Sequence, residues 1–122
     1  MQADQVREFA LDIARSLDEQ KAENIVVFGV RELTPIADYF VIATAGNVRH
    51  LASLSSGVKD LVSERGKKLI GEEGTPESGW MLIDTGDIVV HIFDRERRRI
   101  YSLEVLWGDA EELTADDGPE AK

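Results

Sequence analysis

Residues 80–107 read WMLIDTGDIVVHIFDRERRRIYSLEVLW, and the order of elements in this stretch decides the fold. Trp80–Asp84 and Ile88–Phe93 are apolar runs flanking Thr85-Gly86-Asp87. Two β-prone runs around a short Gly-containing link predict a hairpin, with Gly86 free to adopt positive φ. Asp94 then stands where an N-cap belongs, and Ile100, Leu103, Leu106 and Trp107 recur at helical spacing up to Gly108, a natural stop. The stretch therefore predicts strand, strand, helix.

Upstream, Val6, Phe9, Ala10, Ile13 and Leu17 form one apolar stripe and predict a helix over residues 2–20. The run IVVFGV at 25–30 is β-branched and apolar, as in a strand covered on both faces. A link containing Pro35 leads to a second such run, YFVIATA, at 39–45. Asn47 is placed to cap a second helix whose stripe is Val48, Leu51, Ala52, Ser55, Val58, Leu61 and Val62, ending at Gly66. Residues 68–71 (KLIG) read as a short edge strand, and 72–79 (EEGTPESG) as a loop. The order α-β-β-α-β-β-β-α predicts an α/β (α+β) domain with one mixed sheet of about five strands and helices packed against it.

The chain has 122 residues, 43% of them hydrophobic, which fits one domain with its own core. No cysteine is present, so disulfides, zinc-thiolate sites and cysteine nucleophiles are excluded. No apolar run reaches the roughly 20 residues of a membrane span. The N-terminus is charged and periodic, unlike a signal peptide, so a cytoplasmic protein is expected. Net charge is −10, and residues 109–122 carry six acids against one lysine, reading as an acidic, disordered tail beyond a folded body at 1–108. Such a chain is poorly suited to grip bare nucleic acid, and a protein partner with a basic surface fits it better.

Chemistry-bearing groups are sparse. Neither GxGxxG nor GxxxxGK[ST] occurs. Ala45-Gly46-Asn47 joins strand to helix and offers backbone N–H groups to an anion, although a capped turn is the plainer reading. Asp38, Asp84, Asp87 and Asp94 are candidate oxygen ligands for a divalent cation, with His91 as a general base. Each also has an ordinary role: Asp84 and Asp87 as turn residues, Asp94 as a cap. Alternation places His91 on the face of Val89 and Phe93. His50 has no second ligand at metal spacing, and Ser53, Ser55 and Ser56 lack a nucleophile elbow. Arg95, Arg97, Arg98 and Arg99 form a basic cluster that either holds an anion or is a helix face paired to Asp94, Glu96 and Glu104. Trp80, at a strand entry beside acidic residues, has the character of a protein-binding hot spot.

These residues also resemble a known family. The pattern W-x-L-x-D-x-G-D-I-V-V-H-I-F at Trp80–Phe93, followed by R-x-x-Y-x-L-E-x-L-W at Arg98–Trp107, is similar to the ribosomal silencing factor (RsfS, Iojap-like) family. Asp38-Tyr39-Phe40-Val41-Ile42 and Arg49-His50 resemble its upstream segments, so the likeness covers about residues 3–108. Ala37, Ala45-Gly46-Asn47 and Ile100 depart from the usual pattern. The resemblance implies a fold similar to nucleotidyltransferases without their catalytic residues, no cofactor and no enzymatic activity. It implies binding to the large ribosomal subunit through ribosomal protein L-fourteen, blocking the small subunit and repressing translation. A role in large-subunit biogenesis and a homodimer in isolation are also implied. Carried over by motif, the protein-binding residues are Trp80, Asp84, Asp87, His91, Arg98, Tyr101, Glu104 and Trp107, some of them as supports. The alternative is a divalent-metal-dependent nucleotidyltransferase-like enzyme using Asp84, Asp87 and His91.

Overall fold

A computed structural model describes residues 3–101 and 111–113. The elements are α1 (Ala3–Glu19), β1 (Glu23–Gly29), β2 (Tyr39–Ala45), α2 (Val48–Glu64), β3 (Gly71–Thr75), a 3₁₀ turn (Pro76–Ser78), β4 (Trp80–Asp84), β5 (Ile88–Asp94), α3 (Arg95–Tyr101) and β6 (Glu111–Leu113). No helix among the described residues is long and apolar enough to cross a membrane.

The strands form one sheet in the order β3-β4-β5-β2-β1-β6. It is mixed: β2 and β5 run parallel, and every other neighbouring pair is antiparallel. The parallel pair sits centrally and is the most apolar, as expected of strands covered on both faces. The backbone C=O of Asp87 locks its start, accepting from the N–H groups of Asp38 (2.8 Å) and Tyr39 (3.1 Å).

Alternation sends each strand's side chains to two faces. On one face Val27, Val41, Ala43, Met81, Ile83, Ile88, Val90, Ile92 and Leu113 meet the apolar stripes of α1 and α2. On the other, Phe28, Phe40, Ile42, Val89 and Phe93 are buried, with Val26, Trp80 and Leu82 packed against them. The α2 stripe is Leu51, Leu54, Ser55, Val58 and Val62, at spacings of 3, 1, 3 and 4. The predicted stripe is rotated relative to it: Val48 is 49% exposed and Leu54 is fully buried. Asn47 caps α2 as expected, its Oδ1 accepting from His50 N at 2.7 Å, and Gly66 takes φ +67 at the other end.

The mixed sheet is present with six strands where about five were expected. Two expectations need correction. The edge strand predicted at 68–71 lies instead at Gly71–Thr75, inside the predicted loop. Main-chain pairing with β4, from Gly71↔Asp84 to Thr75↔Trp80, makes it a strand, and its exposed polar side chains show no alternation. Three residues of the predicted acidic tail form β6, because Leu113 reaches the helix-covered core while Glu111 and Glu112 stay in solvent. The predicted course of the last helix beyond 101, with Glu104 and Trp107, lies outside the described residues.

Candidate functional site

The β4–β5 turn is built by its own polar side chains. Asp84 Oδ1 accepts from Gly86 N at 2.8 Å, and the Thr85 hydroxyl and N–H both donate to Ile88 O, at 3.0 and 2.9 Å. Gly86 has φ +97, as the sequence led one to expect. Asp87 is exposed beyond it. Asp38 accepts from Arg31 at 2.9 Å, and Asp94 Oδ1 accepts from Arg97 N at 2.7 Å as the cap of α3. Each candidate carboxylate thus has a local duty or faces water.

Asp84, Asp87 and His91 do not converge. The register sets Asp84 opposite Val89 and His91 opposite Leu82, with Asp87 out in the turn. Among the described residues no group of three His, Cys, Asp or Glu side chains is placed to hold a metal ion. The three side chains named by the enzyme reading are thus not gathered into one metal-holding group.

Trp80 starts β4, and about 13 Å of extended strand separates it from Asp84. It shares a sheet face with His91, and its Nε1–H points at His91 Nδ1, 3.4 Å away. The His91 ring lies parallel to Phe93, with centroids 5.9 Å apart, and meets Phe40 edge-on at 5.8 Å. Burial in this apolar surround lowers the His91 pKa to about 4, so near pH 7 the ring is neutral and available to accept from Trp80. The Trp80 ring remains partly exposed and lies against β3. A side chain at Gly74 would meet Trp80 O at 2.2 Å and ring Cε3 at 3.1 Å.

The arginine cluster is divided among partners. Arg98 is buried and donates to Thr44 Oγ1 at 2.8 Å, fastening α3 to β2. Arg95 makes a two-pronged ion pair with Glu23, holding that carboxyl below the usual range. Arg97 pairs with Asp94 and Glu96. His50 is a structural bridge: its Nδ1 accepts from Gly46 N (2.9 Å), so Nε2 carries the proton and donates to Gln20 O (2.8 Å). Because Gly46 N–H is occupied, the anion cradle considered at Ala45-Gly46-Asn47 is not open.

The predicted site residues therefore separate. Trp80 and Arg98 lie toward one end of the sheet and Asp84 and Asp87 at the other, with His91 between them opposite Leu82. The backbone of Tyr101 ends α3 as described, and Glu104 and Trp107 fall outside the described residues. Sequence reasoning read an edge strand at 68–71, three residues before the observed β3, and so did not place Leu69 and Ile70 as exposed residues leading into it. The one signal was the apolar pair Leu69-Ile70 directly before a polar segment.

Comparison with known proteins bears on the same residues. A family model described as "ribosomal silencing factor during starvation" matches residues 3–122. The chain is 36% identical over 97 residues to ribosomal silencing factor RsfS of Bacillus subtilis, covering 80% of this chain and 82% of that protein. It is 36% identical over 102 residues to the chloroplastic protein Iojap of Zea mays, covering 84% of this chain and 44% of that protein. A crystal structure of a Chromobacterium violaceum protein superposes with a TM-score of 0.79 at 26% identity, covering 99% and 98% of the two chains. Another, from Bacillus halodurans, gives 0.71 at 29% identity, covering 84% and 93%.

Proposed function

Since the chain belongs to the ribosomal silencing factor family, we propose that it binds the large ribosomal subunit through ribosomal protein L-fourteen and blocks the small subunit from joining. Translation is repressed by occlusion, with no bond made or broken. The observation that carries this reading is the family match across nearly the whole described fold. The protein acts in the cytoplasm, contributes to large-subunit maturation and forms a homodimer when off the ribosome.

The geometry supports a division of labour. Trp80, partly exposed at the start of β4, is the apolar anchor that a partner would cover, since hot spots favour Trp. Asp84 and Asp87 offer negative charge at the turn to basic partner groups. His91, half-buried, and Arg98, buried, act as supports: one accepts from Trp80, the other fixes α3. By the family motif alone, Tyr101, Glu104 and Trp107 are added as further partner-binding residues. The net charge of −10 favours encounter with a basic ribosomal-protein surface and disfavours contact with bare rRNA.

A pull-down tests the partner. Immobilised ribosomal protein L-fourteen should retain the chain near physiological salt and release it as salt rises. No retention at low salt removes this reading.

A further inference from the structure

The sheet face turned away from α1 and α2 is covered unevenly. On β5 and β2 it is closed: Val89, Phe93, Phe40 and Ile42 are buried, and α3 packs over these strands, with Arg98 reaching Thr44 opposite Phe93. On β4 the cover stops. Trp80, Leu82 and Asp84 lie on this face and are half-buried, whereas Met81 and Ile83, which face the helices, are buried. The register carries the face onto β3. Glu73 stands opposite Leu82, and Leu82 opposite His91, so the three side chains form one row on one face. Gly71, opposite Asp84, adds no side chain, and Glu73 is exposed. The uncovered part is thus a short apolar strip, Trp80 and Leu82, bordered by two carboxylates: Glu73 across on β3 and Asp84 further along β4.

Charge identifies what fits this strip. Residues 71–94 carry six acids, Glu72, Glu73, Glu77, Asp84, Asp87 and Asp94, and no lysine or arginine. Other elements supply cations to two of them: Lys59 of α2 pairs with Glu72 at 2.8 Å, and Arg97 of α3 with Asp94 at 3.5 Å. Glu73 has no cationic partner among the described residues. A nucleic-acid backbone would set phosphates against these carboxylates, and a second copy of the chain would bring the same acids to them. A protein surface with an apolar side chain beside lysine or arginine suits both the strip and its border. We propose that the β3–β4 face seats a basic protein surface of the large subunit, with Leu82 extending the Trp80 anchor and Glu73 selecting a lysine or arginine of the partner. The proposal rests on the function proposed above and adds which face is used and which residues set its preference. Glu73 lies outside the Trp80–Phe93 pattern that carries the family resemblance.

The test uses the full chain and purified large subunits, with binding read by co-sedimentation across a range of concentrations. Glu73→Lys reverses the charge on the face at an exposed position. Glu77→Lys makes the same change on the 3₁₀ turn, which packs against α2 and lies off the strip. Wild type should co-sediment. Glu73→Lys should bind about tenfold more weakly, because reversal sets like charges together, and Glu77→Lys should stay within about twofold of wild type. Leu82→Ala should bind about tenfold more weakly through the shortened anchor. If Leu82→Ala does not fold, Glu73→Lys against Glu77→Lys decides. Equal weakening by the two lysine variants would mean that charge acts at a distance, and wild-type binding by Glu73→Lys would mean that the partner does not touch this face. Either result overturns the proposal and leaves ribosome binding standing. Unchanged binding with altered self-association in sedimentation velocity would give the face to a second copy and overturn it too. If wild type itself fails to co-sediment, the function reading falls and takes this proposal with it.

Discussion

The chain's two histidines show how far packing, more than residue type, sets chemistry. His50 ties Gly46 to Gln20 and is fully engaged between α1 and α2. His91 lies among Phe40, Phe93 and Trp80, with its pKa lowered to about 4 by burial. The unfolded chain binds a proton at His91 below about pH 6.5, whereas the folded chain resists until about pH 4. His91 therefore costs no stability above pH 6.5, and stability falls as pH drops from 6.5 toward 4, by up to about 3 kcal/mol. Denaturant melts at pH 7 and pH 5 should show wild type losing more stability than His91→Phe. Equal losses would mean the ring is solvated. Alternation along β5 made the face of His91 legible, together with Val89 and Phe93. Its protonation state was not legible, because Phe40 arrives from β2, 51 positions earlier in the chain.

At the scale of elements, helix ends were the most legible features, since one side chain decides each. Asn47, Gly66 and Asp94 all take the roles read from sequence. The two long helices end in the same motif with different residues. After α2, Gly66 N bonds to Ser63 O and Lys67 N to Val62 O, with Gly66 at φ +67. After α1, Lys21 N bonds to Asp18 O and Ala22 N to Leu17 O, with Lys21 at φ +68. A side chain in that left-handed conformation costs about 1 kcal/mol. Lys21→Gly should therefore raise stability by about that amount and Gly66→Ala lower it similarly; a Cβ at Gly66 meets nothing within 4 Å, so only the backbone is tested. Paired denaturant titrations measure both. Gly79 is more demanding: at φ +81, a Cβ there would lie 2.4 Å from Asp94 Oδ2. Gly79→Ala should lose roughly 2–3 kcal/mol, combining backbone strain with a damaged α3 cap. A loss below 1 kcal/mol in the same titration would show that the Asp94 cap gives way freely. β3 was illegible for the opposite reason. Nothing in GEEGT alternates, and pairing with β4 alone makes it a strand.

Across the whole molecule, the mixed sheet follows from how many apolar runs must be buried and how they are linked. The central parallel pairing of β2 with β5 requires contacts that no local pattern encodes. The candidate site was legible as one continuous stretch, but strand geometry separates it into an aromatic end at Trp80 and an acidic turn at Asp84 and Asp87. A surface divided in this way, on a chain of net charge −10, suits a broad protein partner better than a small substrate. The most direct test is subunit joining. Purified large subunits are mixed with the chain, small subunits are added under joining conditions, and the products are separated on a sucrose gradient. The chain should travel with the large-subunit peak while the joined-ribosome peak shrinks in proportion to the amount added. A joined peak of unchanged size, with the chain left at the top of the gradient, would contradict ribosome silencing by this protein.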